Sequence, residues 1–274
     1  MHRRLDGSAQ PDELEPLITQ FNGLLGRLGL AYEQLEGFNA DVAHELCTPL
    51  TTLIGSTELA LRKARDASEL RDVLGSNLEE LQRIAGIVHD MLFLSQADRG
   101  VTARRTSTPS LAALARQVSN YHEASLADAG LGLEIVGDAA GSFDTPLLQR
   151  ALSNLISNAT RYGQRGSTVR VEISKASSGE VVLKVVNKGA TIGSEDLPRL
   201  FDRFYRADPS RSDAHRNHGL GLSTVAAIAR MHGGRPLAAS SGGISSIGMT
   251  LMDEEGLSGS VKATCASESS ASPA

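Results

Sequence analysis

The sequence predicts a two-part fold of the α plus α/β class, in which a dimeric helical-hairpin four-helix bundle is followed by an α/β sandwich. Apolar residues in the first hundred positions recur at alternating spacings of four and three, the pattern of packed bundle helices. From about residue 105, short alternating apolar stretches are interleaved with helical ones. A length of 274 residues with 41% hydrophobic content is enough for one or two packed domains.

The bundle prediction rests on two apolar seams. The first seam comprises Phe21, Leu25, Leu28, Tyr32, Leu35, Val42, Leu46 and Leu53. The second lies in a helix predicted over 68–95 and comprises Leu74, Leu78, Leu81, Ala85, Val88, Leu92 and Ser95. Two helices of one hairpin cannot bury both seams alone, whereas two hairpins can form a shared four-helix core. The sequence therefore predicts a homodimer.

The second part is predicted to be a mixed sheet covered on one side by helices. Strands are predicted over 131–136, 168–174 and 181–186, and helices over 111–127, 145–162 and 222–232. A polar linker around 98–100 precedes this domain. From residue 253 the chain is rich in Ser, Ala and Gly, so we expect a disordered tail.

Composition excludes several classes of protein. The net charge is −5 and no basic cluster is longer than Arg104-Arg105, which argues against a nucleic-acid partner. Cys47 and Cys265 are too far apart in sequence to indicate a disulfide framework or a metal site. No apolar run approaches 18 residues and no signal-peptide core follows Met1, so we expect a cytoplasmic chain without a membrane segment.

His44 is the first candidate for chemistry. It lies off the seam and is followed by Glu45, Thr48 and Pro49. Pro49 lacks an N–H and crowds the carbonyl of Glu45, so we expect the helix to bend or loosen beside the histidine. An outward histidine is usually only solvated, and a zinc-protease helix would need a second histidine where Thr48 stands.

Residues 38–51 closely resemble the phospho-acceptor box of sensor histidine kinases. The resemblance implies that His44 accepts a phosphoryl group, that Glu45 takes its proton, and that Thr48 orients water in a reverse phosphatase reaction. Cys47 replaces the Arg that is usual there.

Residues 12–28 also resemble the last helix of a HAMP relay module. The implied domains are a relay remnant (1–29), a dimerisation and histidine phosphotransfer domain (30–100), a catalytic ATP-binding domain of the histidine kinase/gyrase type (105–252) and a tail (253–274).

Asn154 and Asn158 lie four residues apart on one helix face, a spacing that alone is weak evidence. With their neighbours they resemble the N box of the family's ATP-binding domain. The resemblance implies that Asn158 binds Mg²⁺, that Arg161 faces phosphate oxygens, and that Tyr162 packs near the adenine. Related ATPases have a water-activating Glu where Asn154 stands. An amide cannot take a proton from water, so the nucleophile must come from elsewhere, and His44 is the obvious supplier.

Four further boxes complete the implied ATP site: residues 187–191, residues 200–211, the glycine loop at 219–222 and residues 245–250. Asn187 occupies a position where most members have Asp, and with residues 200–211 it resembles the heavy-metal sensor kinase branch. The glycine loop resembles the phosphate-covering lid, although residues 215–217 stand where further glycines are usual, which predicts a stiffer lid. Residues 245–250 loosely match a final glycine box. The implied ATP contacts in these boxes are Asn187, Gly189, Phe201, Phe204, Gly219, Leu220, Gly221 and Leu222.

The resemblance implies an ATP-dependent protein-histidine kinase with Mg²⁺ as metal. The kinase would autophosphorylate His44, pass the phosphoryl group to an aspartate of a response regulator, and also act as a phosphatase. Family members are usually membrane-anchored. The altered lid, Cys47 and the absent input region leave an alternative, a catalytically weakened dimeric scaffold or phosphatase module for a response regulator.

Overall fold

The structure is a computed structural model that describes residues 15–62, 66–207 and 218–253. The chain divides into two compact units, Met1–Ile84 and Ala85–Ala274. The boundary lies inside the second long helix rather than in the linker that the sequence predicts. The end of that helix therefore belongs to the second unit.

The first unit is a helical hairpin. Its helices are α1 (Glu15–Arg62) and α2 (Ala67–Asp98), the latter continuing into the second unit. The relay-like stretch and the His44 stretch form one continuous helix, as far as the described residues extend. A carboxylate oxygen of Asp66 accepts hydrogen bonds from the amides of Ser68 and Glu69 at 2.8 Å and caps the start of α2.

Polar side chains join the two helices of the hairpin. The Ser56 hydroxyl donates to Oδ1 of Asn77 at 2.6 Å, and Nδ2 of Asn77 donates to the Thr57 hydroxyl at 3.0 Å. The nearby seam leucines of α2 remain exposed in the single chain: Leu74 by 66% and Leu78 by 56%. One hairpin therefore leaves part of its apolar seam uncovered.

The strands of the second unit are β1 (Thr106–Thr108), β2 (Gly132–Val136), β3 (Gly141–Phe143), β4 (Thr168–Lys175), β5 (Glu180–Lys188), β6 (Pro236–Ser241) and β7 (Ile244–Met252). Five of them form one sheet with the strand order β2-β4-β5-β7-β6. Strands β2 and β4 are parallel and the other pairs are antiparallel. Strands β1 and β3 form a separate two-stranded antiparallel sheet.

Three helices pack on the sheet: α3 (Leu111–Ala129), α4 (Thr145–Tyr162) and α5 (Gly221–Met231). Alternate residues of β5, Val181, Leu183 and Val185, are buried, which is the pattern of a strand with one face on the core. Asn187 ends the same buried row and is only 5% exposed. A polar side chain therefore lies where the core-facing row of β5 ends.

The predicted fold class is confirmed. The predicted strands and the three helices of the second unit are found with ends within two residues of the expected ones. Strands β1, β3, β6 and β7 were not predicted. Asp253, assigned to the tail, is 2% exposed and forms an ion pair with Lys175 at 2.7 Å. Residues 1–14 and 254–274, which include most of the predicted tail, lie outside the described residues.

No helix within the described ranges combines the length and hydropathy needed to cross a bilayer.

Candidate functional site

A cavity of about 330 Å³ opens in the second unit between α4, the end of β5, the start of α5 and β7. It brings together seven of the predicted ATP contacts: Asn154, Asn158, Tyr162, Asn187, Gly219, Gly221 and Leu222. The cavity is also lined by Ser157, Ala190, Thr191, Ile192, Gly193, Asp196, Leu200, Tyr205, Arg206, Ala207, Ser245 and Ile247. Residues from all five predicted boxes thus share one cavity.

Helix α4 presents the two asparagines to this cavity because its opposite face is occupied by the core. The helix begins after Asp144, whose side chain accepts a hydrogen bond from the amide of Leu147. Nδ2 of Asn154 is buried and has no hydrogen-bond partner among the described residues. A buried donor in that state costs about 1–3 kcal/mol, so it is a group that a bound ligand would satisfy.

The start of α5 faces the same cavity. Gly221 and Leu222 line it, and the capping residue Leu220 makes no side-chain hydrogen bond to the first turn. The amides of a helix N-terminus and its positive dipole end attract anions. A Cβ on Gly221 would lie 3.6 Å from the side chain of Asn154, so this helix start packs directly over α4. The helix begins at Gly221, one residue before the predicted start at 222.

Phe204 and Gly219 are in contact through their backbones. The Phe204 amide donates to the Gly219 carbonyl at 3.1 Å, and both residues have left-handed backbones, with φ of 61° and 69°. A Cβ on Gly219 would lie 2.6 Å from the carbonyl carbon of Phe204. Only glycine therefore fits at 219 without displacing the neighbouring backbone. The predicted lid positions 215–217 lie outside the described residues.

The buried end of the cavity is polar and contains Asn187 and Ser245, which are register partners on β5 and β7. Nδ2 of Asn187 donates to the carbonyl of Lys188 at 3.3 Å. The Ser245 hydroxyl shares a hydrogen bond of 3.1 Å with that of Ser240. This end of the cavity thus holds neutral groups that both donate and accept.

Asp196 and Tyr205 line the cavity but were not predicted. The Tyr205 hydroxyl donates to Oδ1 of Asp196, and this hydrogen bond raises the pKa of the phenol. The Arg199 guanidinium lies 4.2 Å from the centroid of the Tyr205 ring. The one sequence signal for Tyr205 as a cavity residue was its position next to Phe204, a predicted ATP contact.

Five predicted contacts do not line the cavity: Arg161, Gly189, Phe201, Phe204 and Leu220. The Arg161 guanidinium lies 5.6 Å from the Tyr162 ring centroid. A Cβ on Gly189 would meet the Tyr162 carbonyl oxygen at 2.3 Å, so this glycine permits a close backbone approach. Phe201 packs against the core, and Leu220 is buried at the start of α5. Arg161 and Gly189 thus lie beside Tyr162, which lines the cavity.

The cavity suits a magnesium ion that arrives with phosphate groups. Within the described ranges, no group of three or more His, Cys, Asp or Glu residues is placed to hold a metal. Mg²⁺ commonly binds through few protein oxygens together with substrate phosphates and water. The amide oxygen of Asn158, a cavity residue, is of the required type.

The acceptor segment lies on α1 in the first unit. The His44 side chain is exposed and that of Glu45 is partly exposed. The Thr48 hydroxyl donates to the His44 carbonyl at 3.0 Å. Pro49 is buried, and α1 continues through it without interruption. Cys47 is an exposed free thiol.

Two family models match the chain. The model described as "His Kinase A (phospho-acceptor) domain" matches residues 34–100. The model described as "Histidine kinase-, DNA gyrase B-, and HSP90-like ATPase" matches residues 143–254. The chain belongs to the sensor histidine kinases. The predicted family and its heavy-metal sensor branch are confirmed.

Relatives of this histidine kinase chain include sensor histidine kinase CusS of Escherichia coli (strain K12), which is 45% identical over 232 residues. That match covers 84% of this chain and 48% of the relative, so the chain spans about half the length of the curated relative.

Solved histidine kinases share the fold. The structure of Acinetobacter baumannii histidine kinase AdeS matches with a TM-score of 0.64 and 24% identity, covering 77% of this chain and 98% of that one. Histidine kinase ThkA in complex with response regulator protein TrrA matches with a TM-score of 0.63 and 19% identity, covering 81% of this chain and 63% of that one.

Proposed function

We propose that the chain is the kinase core of an ATP-dependent protein-histidine kinase that autophosphorylates His44 and passes the phosphoryl group to an aspartate of a response regulator. The observation that carries this proposal is the shared cavity of the second unit. It joins the N box asparagines, the buried amide of Asn187 and an open helix N-terminus. An exposed histidine in a matched acceptor domain supplies the nucleophile.

ATP would bind with its base toward Asn187 and its phosphates toward the start of α5. The Asn187 amide oxygen can accept a hydrogen bond from the adenine amino group. The α5 amides and the unpaired Nδ2 of Asn154 can donate to phosphate oxygens. Asn158 would hold the Mg²⁺, which when bound neutralises charge on the phosphates.

In the proposed phosphoryl transfer, the neutral imidazole of His44 is the nucleophile. One ring nitrogen attacks the γ-phosphorus, a P–N bond forms, and the bond from the γ-phosphorus to the bridging oxygen of ADP breaks. Glu45 accepts the proton from the other ring nitrogen. Asn154 cannot remove a proton from water, which favours transfer to histidine over hydrolysis.

The partners we propose are a second copy of this chain and a response regulator. The exposed seam leucines of α2 are the apolar surface that a second hairpin would cover in a four-helix bundle. ThkA has been crystallised with its regulator TrrA, which is the type of partner proposed for this chain. In the reverse direction, Thr48 would orient water toward the aspartyl phosphate. Its hydroxyl donates to the His44 carbonyl and retains lone pairs to accept from water.

Incubation of the chain with γ-labelled ATP and Mg²⁺ tests the proposal. We expect a label that is lost in acid and kept in base, the behaviour of phosphohistidine. His44→Gln should abolish the label without changing nucleotide affinity, whereas His89→Gln, at an exposed histidine of α2, should keep it. Normal nucleotide binding without any label in the unsubstituted chain would favour the scaffold alternative.

A further inference from the structure

The end of α2 is structurally part of the unit that holds the cavity. The acceptor-domain model runs to residue 100, yet the boundary between compact units falls between Ile84 and Ala85. Residues 85–98 therefore belong to the acceptor domain by family and to the nucleotide unit by contact. Two ion pairs connect this segment to elements that line the cavity.

The first contact joins α2 to α4. Asp90 forms an ion pair with Arg150, and the Arg150 guanidinium also lies 4.3 Å from the ring centroid of Phe93. Phe93 itself packs against the core of the unit. Arg150 is thus held by a carboxylate and an aromatic ring from one turn of α2.

Arg150 is one helical turn before Asn154. Residues four apart lie on the same face of a helix. A shift of Arg150 would therefore also shift the turn of α4 that presents Asn154 to the cavity. Asn158 follows one turn later. The Arg150 contact can therefore influence the placement of both asparagines.

The second contact joins α2 to the segment on the other side of the cavity. Asp98, the last residue of α2, forms an ion pair with Arg203 at 2.5 Å. Arg203 lies between two cavity residues, Leu200 and Tyr205, and directly precedes Phe204 with its left-handed backbone. The end of α2 thus contacts elements that form two different walls of the cavity.

The chain after α2 is also fixed to this unit. The Ala103 amide donates to the carbonyl of Met231, the last residue of α5, at 3.1 Å. The Arg105 guanidinium donates to the carbonyls of His232 and Met252. A short connection therefore ties the end of α2 to the C-terminal end of α5, whose first turn faces the cavity.

We propose that residues 85–98 of α2 are a coupling segment, and that packing of this segment against the rest of the second unit and nucleotide binding in the cavity strengthen each other. Asp90, Asp98, Arg150 and Arg203 act as positioning residues, since none of them lines the cavity. The inference rests on the proposed function, because it assumes that the cavity binds nucleotide.

Coupling of this kind is reciprocal. If docking of residues 85–98 favours the nucleotide-binding arrangement, nucleotide must favour docking by the same factor. Release of the segment would remove the Asp90–Arg150 and Asp98–Arg203 ion pairs and loosen two walls of the cavity. Both directions can be measured on one protein.

The first measurement is the affinity of the full chain for a non-hydrolysable ATP analogue with Mg²⁺, by calorimetry. We expect the double variant Asp90→Asn, Asp98→Asn to bind at least about 5-fold more weakly, the lower end of typical coupling factors. Glu134→Gln is the matched control, because Glu134 forms a partly exposed ion pair with Arg170, and neither residue lines the cavity. The swapped pair Asp98→Arg, Arg203→Asp should recover affinity relative to Asp98→Arg alone.

The second measurement is hydrogen exchange of the amides of residues 85–98. The analogue should slow their exchange in the unsubstituted chain, and much less in the double variant. Unchanged affinity in a folded double variant, or exchange that does not respond to bound analogue, would overturn the coupling. Absence of any binding by the unsubstituted chain would instead contradict the proposed function.

Discussion

The backbone amide of Phe204 donates to the carbonyl of Gly219 at 3.1 Å and joins the described residues on either side of 208–217. Phe204 adopts a left-handed backbone, which is uncommon for a bulky residue and costs about 1–3 kcal/mol. The contact places Gly219 and Tyr205 in the same cavity. It connects the predicted box at residues 200–211 to the predicted glycine loop.

Gly219→Ala should therefore weaken nucleotide binding. A Cβ at this position would lie 2.6 Å from the backbone of Phe204, and the φ of 69° is itself unfavourable for alanine. Because the backbone at the cavity must move, we expect a loss of affinity of about 10-fold, or about 1.4 kcal/mol. Calorimetry with an ATP analogue checks this.

Gly166→Ala is the control for that variant. Gly166 has a φ of 79°, yet nothing lies within 4 Å of its would-be Cβ, and it does not line the cavity. The Gly166→Ala variant should be less stable than the unsubstituted chain but should bind nucleotide with the same affinity. Equal affinity losses in the two variants would show that general destabilisation, and not the Phe204 contact, is responsible.

Asn158→Ala should remove the magnesium dependence of nucleotide binding. The amide oxygen of Asn158 is the predicted protein ligand, and the remaining ligands of Mg²⁺ would be phosphate oxygens and water. We expect the unsubstituted chain to bind ATP analogue more weakly in EDTA than in Mg²⁺. In the variant the two affinities should be similar. A variant that keeps the full magnesium effect would contradict the metal role of Asn158.

Asn187→Asp should increase discrimination between ATP and GTP. An amide can turn and donate to the 6-oxo group of guanine, at the cost of its bond to the Lys188 carbonyl, about 0.5–1.5 kcal/mol. A carboxylate can only accept and would face that oxygen unfavourably. We expect GTP to bind the unsubstituted chain roughly 10-fold more weakly than ATP, and the ratio to grow in the variant. Competition binding measures both ratios.

Stability should fall as the pH drops below about 6.5, partly through His232. Its Nε2 accepts from the Asp144 amide at 3.1 Å and its Nδ1–H donates to the Ile228 carbonyl at 2.8 Å, so the buried ring is neutral. Burial lowers the pKa of His232 in the folded state. The unfolded state then binds more protons below pH 6.5, and stability decreases by up to about 1.4 kcal/mol per pH unit from this residue until the folded pKa is reached.

Thermal unfolding between pH 5 and 7.5 measures this dependence. His232→Gln should lower stability at pH 7.5 and flatten the decrease toward pH 5. Burial also lowers the pKa of His122, so some dependence should remain. The exposed His89 serves as control, and His89→Gln should leave the slope unchanged. An unaltered slope in His232→Gln would exclude its contribution.

The sequence was most informative where one helix or strand carries the whole signal. The apolar periodicity of α4 predicted the helix, and its asparagines lie in the cavity as expected. Strands β6 and β7 were not predicted because Ser and Gly residues interrupt the apolar–polar alternation that indicates a strand. Gly248 illustrates the reason, since a Cβ there would lie 2.2 Å from the Leu183 carbonyl oxygen. Close strand contact, which no local pattern encodes, requires that glycine.

Contacts between distant positions could not be predicted from local patterns. The Asp196–Tyr205 hydrogen bond and the Asp90–Arg150 ion pair depend on how separate elements pack. The boundary between units was also hidden, because the seam of α2 continues through Ala85 without a break in its spacing. A continuous helix gives no sign in its sequence that its end packs with another unit.

Mass spectrometry at alkaline pH, after incubation with Mg·ATP, shows which residue carries the phosphoryl group. We expect modification of His44, and no modification when Asn158→Ala removes the metal ligand. Phosphate found only on another residue, or none on a chain that binds magnesium nucleotide normally, would contradict this expectation.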